Sequence, residues 1–201
     1  LYVCPQTLIK FHPEFDAILG EILRVDSQGF VVLFEGDRPC WTNLLATRMR
    51  NAIGARFDRV RFLPRQSYDE FLRVLQLADV LLDTIHFSGG TTTLQAIAIG
   101  TPLVTLPGEF ARGRGSYSHL ATIGVLDTVA RDAEHYVRLA VEIANDPATR
   151  AVIRARILAA GGVLFGNPAA SIELEQFFVD AVAKHRASRH FPLSMPEQGA
   201  A

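Results

Sequence analysis

Residues 79–99 of the sequence read DVLLDTIHFSGGTTTLQAIAI, and this stretch decides the fold. It opens with the apolar run Val80–Leu82, which is short, unbroken and followed by polar residues, as is typical of a strand buried on both faces. A loop with two glycines comes next, and three threonines then open an apolar segment that runs to Ile99. We therefore predict a strand, a loop and a helix in that order, which is part of a βαβ unit.

The same alternation extends in both directions along the chain. Short apolar runs predict further strands at 1–3, 30–34, 60–63 and 103–106. Helical spacing of apolar residues predicts helices at 13–24, 41–53 and 67–78, and later at 132–145, 147–160 and 171–186. Ser67 with Glu70 forms a capping-box pattern at one of these helix starts. The order predicts an α/β fold, a Rossmann-like open parallel sheet with flanking helices and extra C-terminal helices.

Composition narrows the class of protein. Of the 201 residues, 49% are hydrophobic and 20% are charged, which is ordinary for a soluble globular protein. The formal net charge of −1 gives no reason to expect a nucleic-acid surface. Cys4 and Cys40 lie far apart with no C-x-x-C pattern, which indicates reduced thiols in the cytoplasm. No apolar run approaches ~18 residues, so we predict no membrane span. The chain starts in a predicted strand without a Met, so we expect a piece of a longer polypeptide.

The loop after the predicted strand at 80–82 has the composition of an anion site. In open parallel sheets, ligands bind beyond the carboxyl ends of the strands. Gly89 and Gly90 allow close approach of the backbone, and the following helix start offers unpaired N–H donors to a diphosphate. Thr91 and Thr92 add hydroxyl donors, and Gln95, one turn further on, could reach a ribose. The same residues are also compatible with a Gly-rich turn that binds nothing.

Two further segments belong to the same predicted edge. Lys10 follows the first strand, so a diphosphate could lie between it and the glycines. The segment 110–116, FARGRGS, predicts either a mobile loop with Arg112 and Arg114 near the phosphates or a solvated loop. His86, just before the glycines, is a candidate ligand contact, whereas His12 is interpreted as a surface residue.

These segments together resemble the C-terminal catalytic half of the O-GlcNAc transferase and SPINDLY-like glycosyltransferases, in particular their bacterial relatives. The resemblance covers most of residues 1–185. It rests on Lys10 followed by Pro13, on the strand residues 76–84, on Gly89–Thr92, and on GTPLVTLPGE at 100–109.

The resemblance implies a GT-B fold, in which two Rossmann-like domains face each other and the second holds the sugar nucleotide. It implies transfer of GlcNAc or a related hexose from a nucleotide diphosphate donor to protein side chains, with a UDP-sugar as the expected donor and a GDP-sugar as the alternative. Neither a metal nor a cofactor is expected, in agreement with the lack of an Asp-x-Asp motif or a His/Cys cluster in the sequence. Lys10 would then be catalytic and, with Gly89, Gly90, Thr91 and Thr92, would stabilise the leaving diphosphate.

Several positions depart from the family pattern. Gly90 stands where the animal enzymes have His, and Gln95 stands where they have the Asp that holds the ribose. Tyr68 and Phe71 replace the Lys and His that flank the base. Gln95, Tyr68 and Phe71 are therefore the predicted ribose and base contacts, although Phe71 fits a helix core equally well. These changes leave the sugar and the base open.

The resemblance also sets the expected organisation. We expect a nucleotide-sugar-binding domain at 1–187, a C-terminal tail at 188–201, and an N-terminal GT-B domain, with TPR repeats, outside this chain. That missing domain would supply the contacts to a protein acceptor. Two alternatives are a sugar-nucleotide epimerase of the same fold and a non-catalytic nucleotide-binding or assembly module with a decayed site. Gly90 and Gln95 favour the second alternative.

Overall fold

The computed structural model describes residues 1–188, which divide into two compact units, Leu1–Phe165 and the residues from Gly166 onward. The predicted domain at 1–187 includes all of the first unit and nearly all of the helix of the second. The predicted tail at 188–201 lies outside the described residues, apart from Ser188 at the end of that helix.

The first unit is built on a parallel sheet of five strands in the order β3-β2-β1-β4-β5. The strands are β1 (Tyr2–Cys4), β2 (Val31–Phe34), β3 (Val60–Leu63), β4 (Val80–Leu82) and β5 (Leu103–Val104). Tyr2 of β1 pairs with Val31 on one side and with Val80 on the other. β1 and β4 are buried along their whole length, which explains their unbroken apolar sequences. The predicted α/β fold is thus confirmed.

Helices flank this sheet. They are α1 (Pro13–Val25), α2 (Pro39–Ile53), α3 (Tyr68–Leu77), α4 (Thr91–Ile99), α5 (Gly115–Thr122), α6 (Ala133–Asn145) and α7 (Pro147–Ala160). The predicted capping box is present, since Ser67 Oγ accepts from the Glu70 amide at 3.4 Å and Glu70 Oε2 accepts from the Ser67 amide at 3.0 Å. Gly100 ends α4 with a left-handed φ of 77°, which glycine adopts without a steric penalty. α5 was not predicted from the sequence.

An ion pair fixes α1, the helix that begins just after Lys10, against α2. Asp16 on α1 is buried, and its two carboxylate oxygens accept from Arg48 Nε at 2.7 Å and Arg48 Nη2 at 3.0 Å. The same Nη2 donates to the carbonyl oxygen of Phe11 at 2.9 Å. This contact holds the backbone immediately after Lys10 in place.

The second unit contains a single described helix, α8 (Pro168–Ser188). Apolar side chains on this helix, including Phe177 and Phe178, are exposed. Residues Pro147–Ala187, which include α7 and most of α8, contain an 18-residue window with a mean hydropathy of 1.3, of which 11% is buried. This window is long and apolar enough to cross a membrane by length and composition alone, which does not show membrane insertion, so the lack of a span stays a prediction.

Candidate functional site

Lys10 and the glycine loop meet at the carboxyl edge of the sheet, because they follow the adjacent strands β1 and β4. Lys10 Nζ donates to the carbonyl oxygen of Ser88 at 3.0 Å and to Gln6 Oε1 at 2.8 Å. It also lies 4.7 Å from the centre of the Phe87 ring. Partial burial lowers the pKa of Lys10, while the neighbouring Asp83 carboxylate opposes that shift. These contacts fix the position of the Lys10 ammonium group beside the glycine loop.

The two glycines have different surroundings. Gly89 is buried, and a Cβ there would lie 2.5 Å from Thr93 Oγ1 and 2.7 Å from Gln6 Nε2. Gly90 is exposed, and a Cβ there would meet no atom within 4 Å. Gly89 therefore permits the close packing of the loop, whereas Gly90 leaves open space over the start of α4.

The start of α4 presents backbone donors to this open space. Within residues 1–188, the amides of Gly90, Thr91 and Thr92 have no hydrogen-bond acceptor, whereas the Thr93 amide donates to the carbonyl oxygen of Gly90 at 3.0 Å. Such a helix start carries about half a positive charge. The arrangement suits a phosphate group, and the contact of these residues with a diphosphate stays a prediction.

Asp83 organises the loop, and the sequence analysis missed this role. It is fully buried, and its two oxygens accept from the Gly89 amide and from Thr105 Oγ1, both at 2.7 Å. Burial raises the pKa of Asp83 to about 6, although these hydrogen bonds oppose the shift. The Tyr136 hydroxyl donates to the carbonyl oxygen of Asp83 at 2.9 Å. The only sequence signal was a carboxylate placed directly after a strand.

A cavity of about 360 Å³ adjoins this edge. It is lined by all three residues predicted to contact the ribose and base, namely Gln95 at the second turn of α4 and Tyr68 and Phe71 on α3. Tyr68 is exposed, whereas Phe71 is half-buried, with its ring centre 5.2 Å from that of Phe34. The fold thus brings these three residues together, and their contact with a nucleotide stays a prediction.

Gln6 is a second residue that the sequence analysis missed. It lines the same cavity and is almost fully buried, and its amide nitrogen has no hydrogen-bond partner within residues 1–188. A buried donor without an acceptor costs free energy, so it is a natural place for a ligand oxygen. Its amide oxygen already accepts from Lys10 Nζ, so the two side chains are hydrogen-bonded to each other at this edge of the sheet.

The segment with the two arginines is packed rather than open. Residues Ala111–Gly113 form a 3-10 turn and Gly115 begins α5. Ser88 joins this segment to the glycine loop, because its amide donates to the carbonyl oxygen of Arg112 at 2.8 Å and its Oγ accepts from the Gly115 amide at 2.6 Å. The segment therefore packs against the glycine loop through long-range hydrogen bonds that the sequence alone did not reveal, and its mobility without a ligand stays a prediction.

The arginine side chains make local contacts. Arg112 lies 5.0 Å from the Phe110 ring centre, and Arg114 Nη1 donates to the carbonyl oxygen of Gly108 at 2.9 Å. Within residues 1–188, neither guanidinium forms a hydrogen bond with the glycine loop. Their role as phosphate contacts stays a prediction.

His86 lies on the other side of the edge, where it lines a separate cavity of about 670 Å³. Its backbone φ is 66°, the one left-handed value among the described non-glycine residues. His86 Nε2 is 2.8 Å from Glu14 Oε2, and its ring centre is 4.7 Å from that of His12. The hydrogen bond with His86 lowers the pKa of Glu14. The sequence separates His12 and His86 by more than 70 positions, so it gave no sign of this cluster.

The fold defines the class of protein: a Rossmann-like domain in which Lys10 and the start of α4 meet at the carboxyl ends of the strands. A family model described as glycosyl transferase family 41 matches residues 5–164. The chain belongs to glycosyltransferase family 41, and the resemblance to the C-terminal half of O-GlcNAc transferase and SPINDLY-like enzymes is confirmed.

Among curated relatives, a probable UDP-N-acetylglucosamine–peptide N-acetylglucosaminyltransferase SPINDLY from Arabidopsis thaliana is 30% identical over 129 residues, which is 63% of this chain and 14% of that protein. The UDP-N-acetylglucosamine–peptide N-acetylglucosaminyltransferase of Caenorhabditis elegans is 37% identical over 100 residues, covering 50% of this chain and 9% of that protein. The chain thus spans only a small part of the relatives that it matches.

Solved structures agree on the architecture. A mutant of the O-GlcNAc transferase of Thermobaculum terrenum superposes with a TM-score of 0.77 at 26% identity, covering 88% of this chain and 35% of that one. The Anabaena protein HepE, solved in complex with UDP and glucose, superposes with a TM-score of 0.61 at 13% identity, covering 91% of this chain and 48% of that one. The second likeness shows the fold alone.

Proposed function

We propose that this chain is the donor-binding half of a glycosyltransferase that moves a sugar from a nucleoside diphosphate to a protein side chain. The observation that carries the proposal is the meeting of Lys10 Nζ, the first amides of α4 and the cavity lined by Gln95 and Tyr68 at one edge of the sheet. A diphosphate at that edge would place the nucleoside in the cavity. The curated relatives are named for UDP-N-acetylglucosamine and peptide, which favours a UDP-sugar over a GDP-sugar and a protein acceptor.

The chemistry asked of this half is stabilisation of the leaving group. When the glycosidic bond breaks, its electron pair leaves with the diphosphate, so negative charge grows on the phosphate oxygens. Lys10 and the amides of Gly90, Thr91 and Thr92 would meet that charge with donors that are already in place. Lys10 is held for this role by Gln6 Oε1 and the Ser88 carbonyl oxygen. In this proposal the positive charge comes from the protein itself, so the donor is handled without a metal ion or cofactor.

The acceptor would be bound by a further domain. We propose that an N-terminal GT-B domain with TPR repeats lies elsewhere in the protein and contributes the acceptor-facing residues. A cytoplasmic location is consistent with the two free thiols, Cys4 buried and Cys40 exposed.

Nucleotide binding tests the donor site. Calorimetry should detect binding of UDP or GDP to the chain, and Lys10→Ala should weaken it roughly 10- to 150-fold, the equivalent of about 1.5–3 kcal/mol for a charged hydrogen-bond partner. The matched control is Lys184→Ala, because Lys184 lies on the exposed surface of α8. Equal affinity in Lys10→Ala and Lys184→Ala would remove Lys10 from the site.

Sugar transfer tests the enzymatic part of the proposal. We expect the chain alone to transfer a radiolabelled sugar to lysate proteins far more slowly than the full-length protein does. One half of a cleft cannot align donor and acceptor, and alignment can lower a barrier by ~7–11 kcal/mol. Tight UDP binding without transfer by the full-length protein would instead support the non-catalytic module that Gly90 and Gln95 favour.

A further inference from the structure

Three side chains of the types that ligate metal ions meet at the start of α1. His12, Glu14 and His86 each offer one ligand atom, and these atoms all lie within 4.8 Å of one another. His86 Nε2 is 2.8 Å from Glu14 Oε2, and His12 Nδ1 is 3.9 Å from the same oxygen. This is the one such group within residues 1–188.

We propose that His12, Glu14 and His86 form a binding site for a divalent transition-metal ion of the zinc class. Two imidazoles and one carboxylate are a ligand set that suits Zn²⁺. Three protein ligands would leave a further position for water. Glu14 and His86 line a different cavity from the one lined by Gln95 and Tyr68, so the metal site adds to the proposed donor site and does not replace any part of it.

The geometry requires only small shifts: the His86–Glu14 pair, at 2.8 Å, must open slightly, and the wider pairs must close. In a tetrahedral zinc site the ligand atoms lie about 3.3 Å apart, given bonds of about 2.0–2.1 Å. The group must therefore close by about 1–1.5 Å at its widest. All three side chains are exposed, so rotation of their side chains can achieve this without repacking the core. If His12 binds through Nδ1, it gives up only a 3.3 Å hydrogen bond from the Glu14 amide.

The local charge leaves a small negative excess. The cavity that His86 and Glu14 line has three further carboxylates, of which Glu21 pairs with Arg24 and Glu134 pairs with Arg138. Glu14 and Asp132 then face one arginine of the lining, Arg131, and a divalent ion at the rim would offset the remaining negative charge.

Metal binding would tie together two segments of the backbone. His12 and Glu14 lie just after Lys10, whereas His86 lies three residues before Gly89 in the loop between β4 and α4. The metal would thus hold this loop against the start of α1. Hydrogen exchange of the amides in residues 84–88 should slow when the metal binds, which a cation bound loosely to surface carboxylates would not cause.

Calorimetric titration of Zn²⁺ into the tag-free 201-residue chain tests the proposal. We expect one equivalent to bind, and His86→Ala and His12→Ala should each weaken it by more than about tenfold. Glu14→Gln should weaken it as well. The matched control is His135→Ala, which removes a histidine at another helix start whose Nδ1 likewise accepts a backbone amide, that of Arg131. Each variant is first checked for an unchanged urea unfolding midpoint.

Two results would overturn the proposal. One is equal Zn²⁺ affinity in the unmodified chain and in His86→Ala, which would move any binding elsewhere. The other is Mg²⁺ binding as tightly as Zn²⁺, since Mg²⁺ prefers oxygen ligands and such binding would point to the carboxylates alone. Co²⁺ offers an independent readout, because its visible absorption becomes stronger in a four-coordinate site than in water, and this gain should be lost in both histidine variants.

Discussion

Alanine substitution of the two adjacent glycines separates the packing of the loop from its contact with a ligand. In Gly89→Ala the new methyl group would lie 2.5 Å from Thr93 Oγ1, 2.7 Å from Gln6 Nε2 and 3.3 Å from Ser116 Oγ. The Gln6 amide could move aside, but Thr93 is short, fully buried and 2.7 Å from Ser116 Oγ. Overpacking of this kind costs about 1–3 kcal/mol. For a chain of this size we therefore expect the melting temperature to fall by about 2–12 °C.

Gly90→Ala is the matched substitution one residue further along. Its methyl group would meet no protein atom within 4 Å, so the free energy of unfolding should change by less than about 0.5 kcal/mol. If a diphosphate lies over the start of α4, the same methyl group would occupy the ligand's space. A clash of about 1–3 kcal/mol corresponds to UDP affinity reduced about 5- to 150-fold.

The two assays are urea or thermal unfolding without ligand and UDP titration by calorimetry. Gly89→Ala should lower the unfolding midpoint, whereas Gly90→Ala should lower only the affinity for UDP. Equal unfolding midpoints for the two variants would refute the packing assigned to Gly89. Unchanged UDP affinity in Gly90→Ala would refute the placement of the diphosphate over α4.

Three further substitutions test the framework of the site. Burial raises the folded-state pKa of Asp83 from 3.8 to about 6, so the folded chain keeps a proton that the unfolded chain loses. This group's contribution to the free energy of unfolding should therefore fall by up to about 3 kcal/mol as the pH rises from 4 to 7. Asp83→Asn should abolish that fall, and urea titrations of the two proteins with parallel pH profiles would contradict the argument. Arg48→Ala leaves the buried Asp16 carboxylate without its partner; because Arg48 is 37% exposed, water can partly replace it, so we expect a loss of about 1–3 kcal/mol in a urea titration, and no measurable loss would contradict this role of the ion pair. Tyr136→Phe removes the donor to the buried carbonyl oxygen of Asp83 and should cost about 1–3 kcal/mol by the same measurement, and a neutral result would show that water replaces the hydroxyl.

Much of the fold follows from local sequence patterns. The unbroken run Val80–Leu82 predicted a strand covered on both faces, and Ser67 with Glu70 marked the start of α3 because a capping box needs only residues three apart. Lys10 and the glycine loop could be assigned to one edge before any contact was known, since every parallel strand ends at the same side of the sheet.

Other features required the tertiary structure because their partners are far apart in sequence. Asp83 reaches Thr105 across a crossover, and Ser88 bonds to the segment at 112–115, which turned an expected open loop into a packed turn and the start of α5. His12 and His86 become neighbours only because β1 and β4 pair in the sheet. Local patterns fix the period of each element and therefore its type. Strand order and register fix which loops touch. The tertiary structure therefore decided which side chains come together at the site.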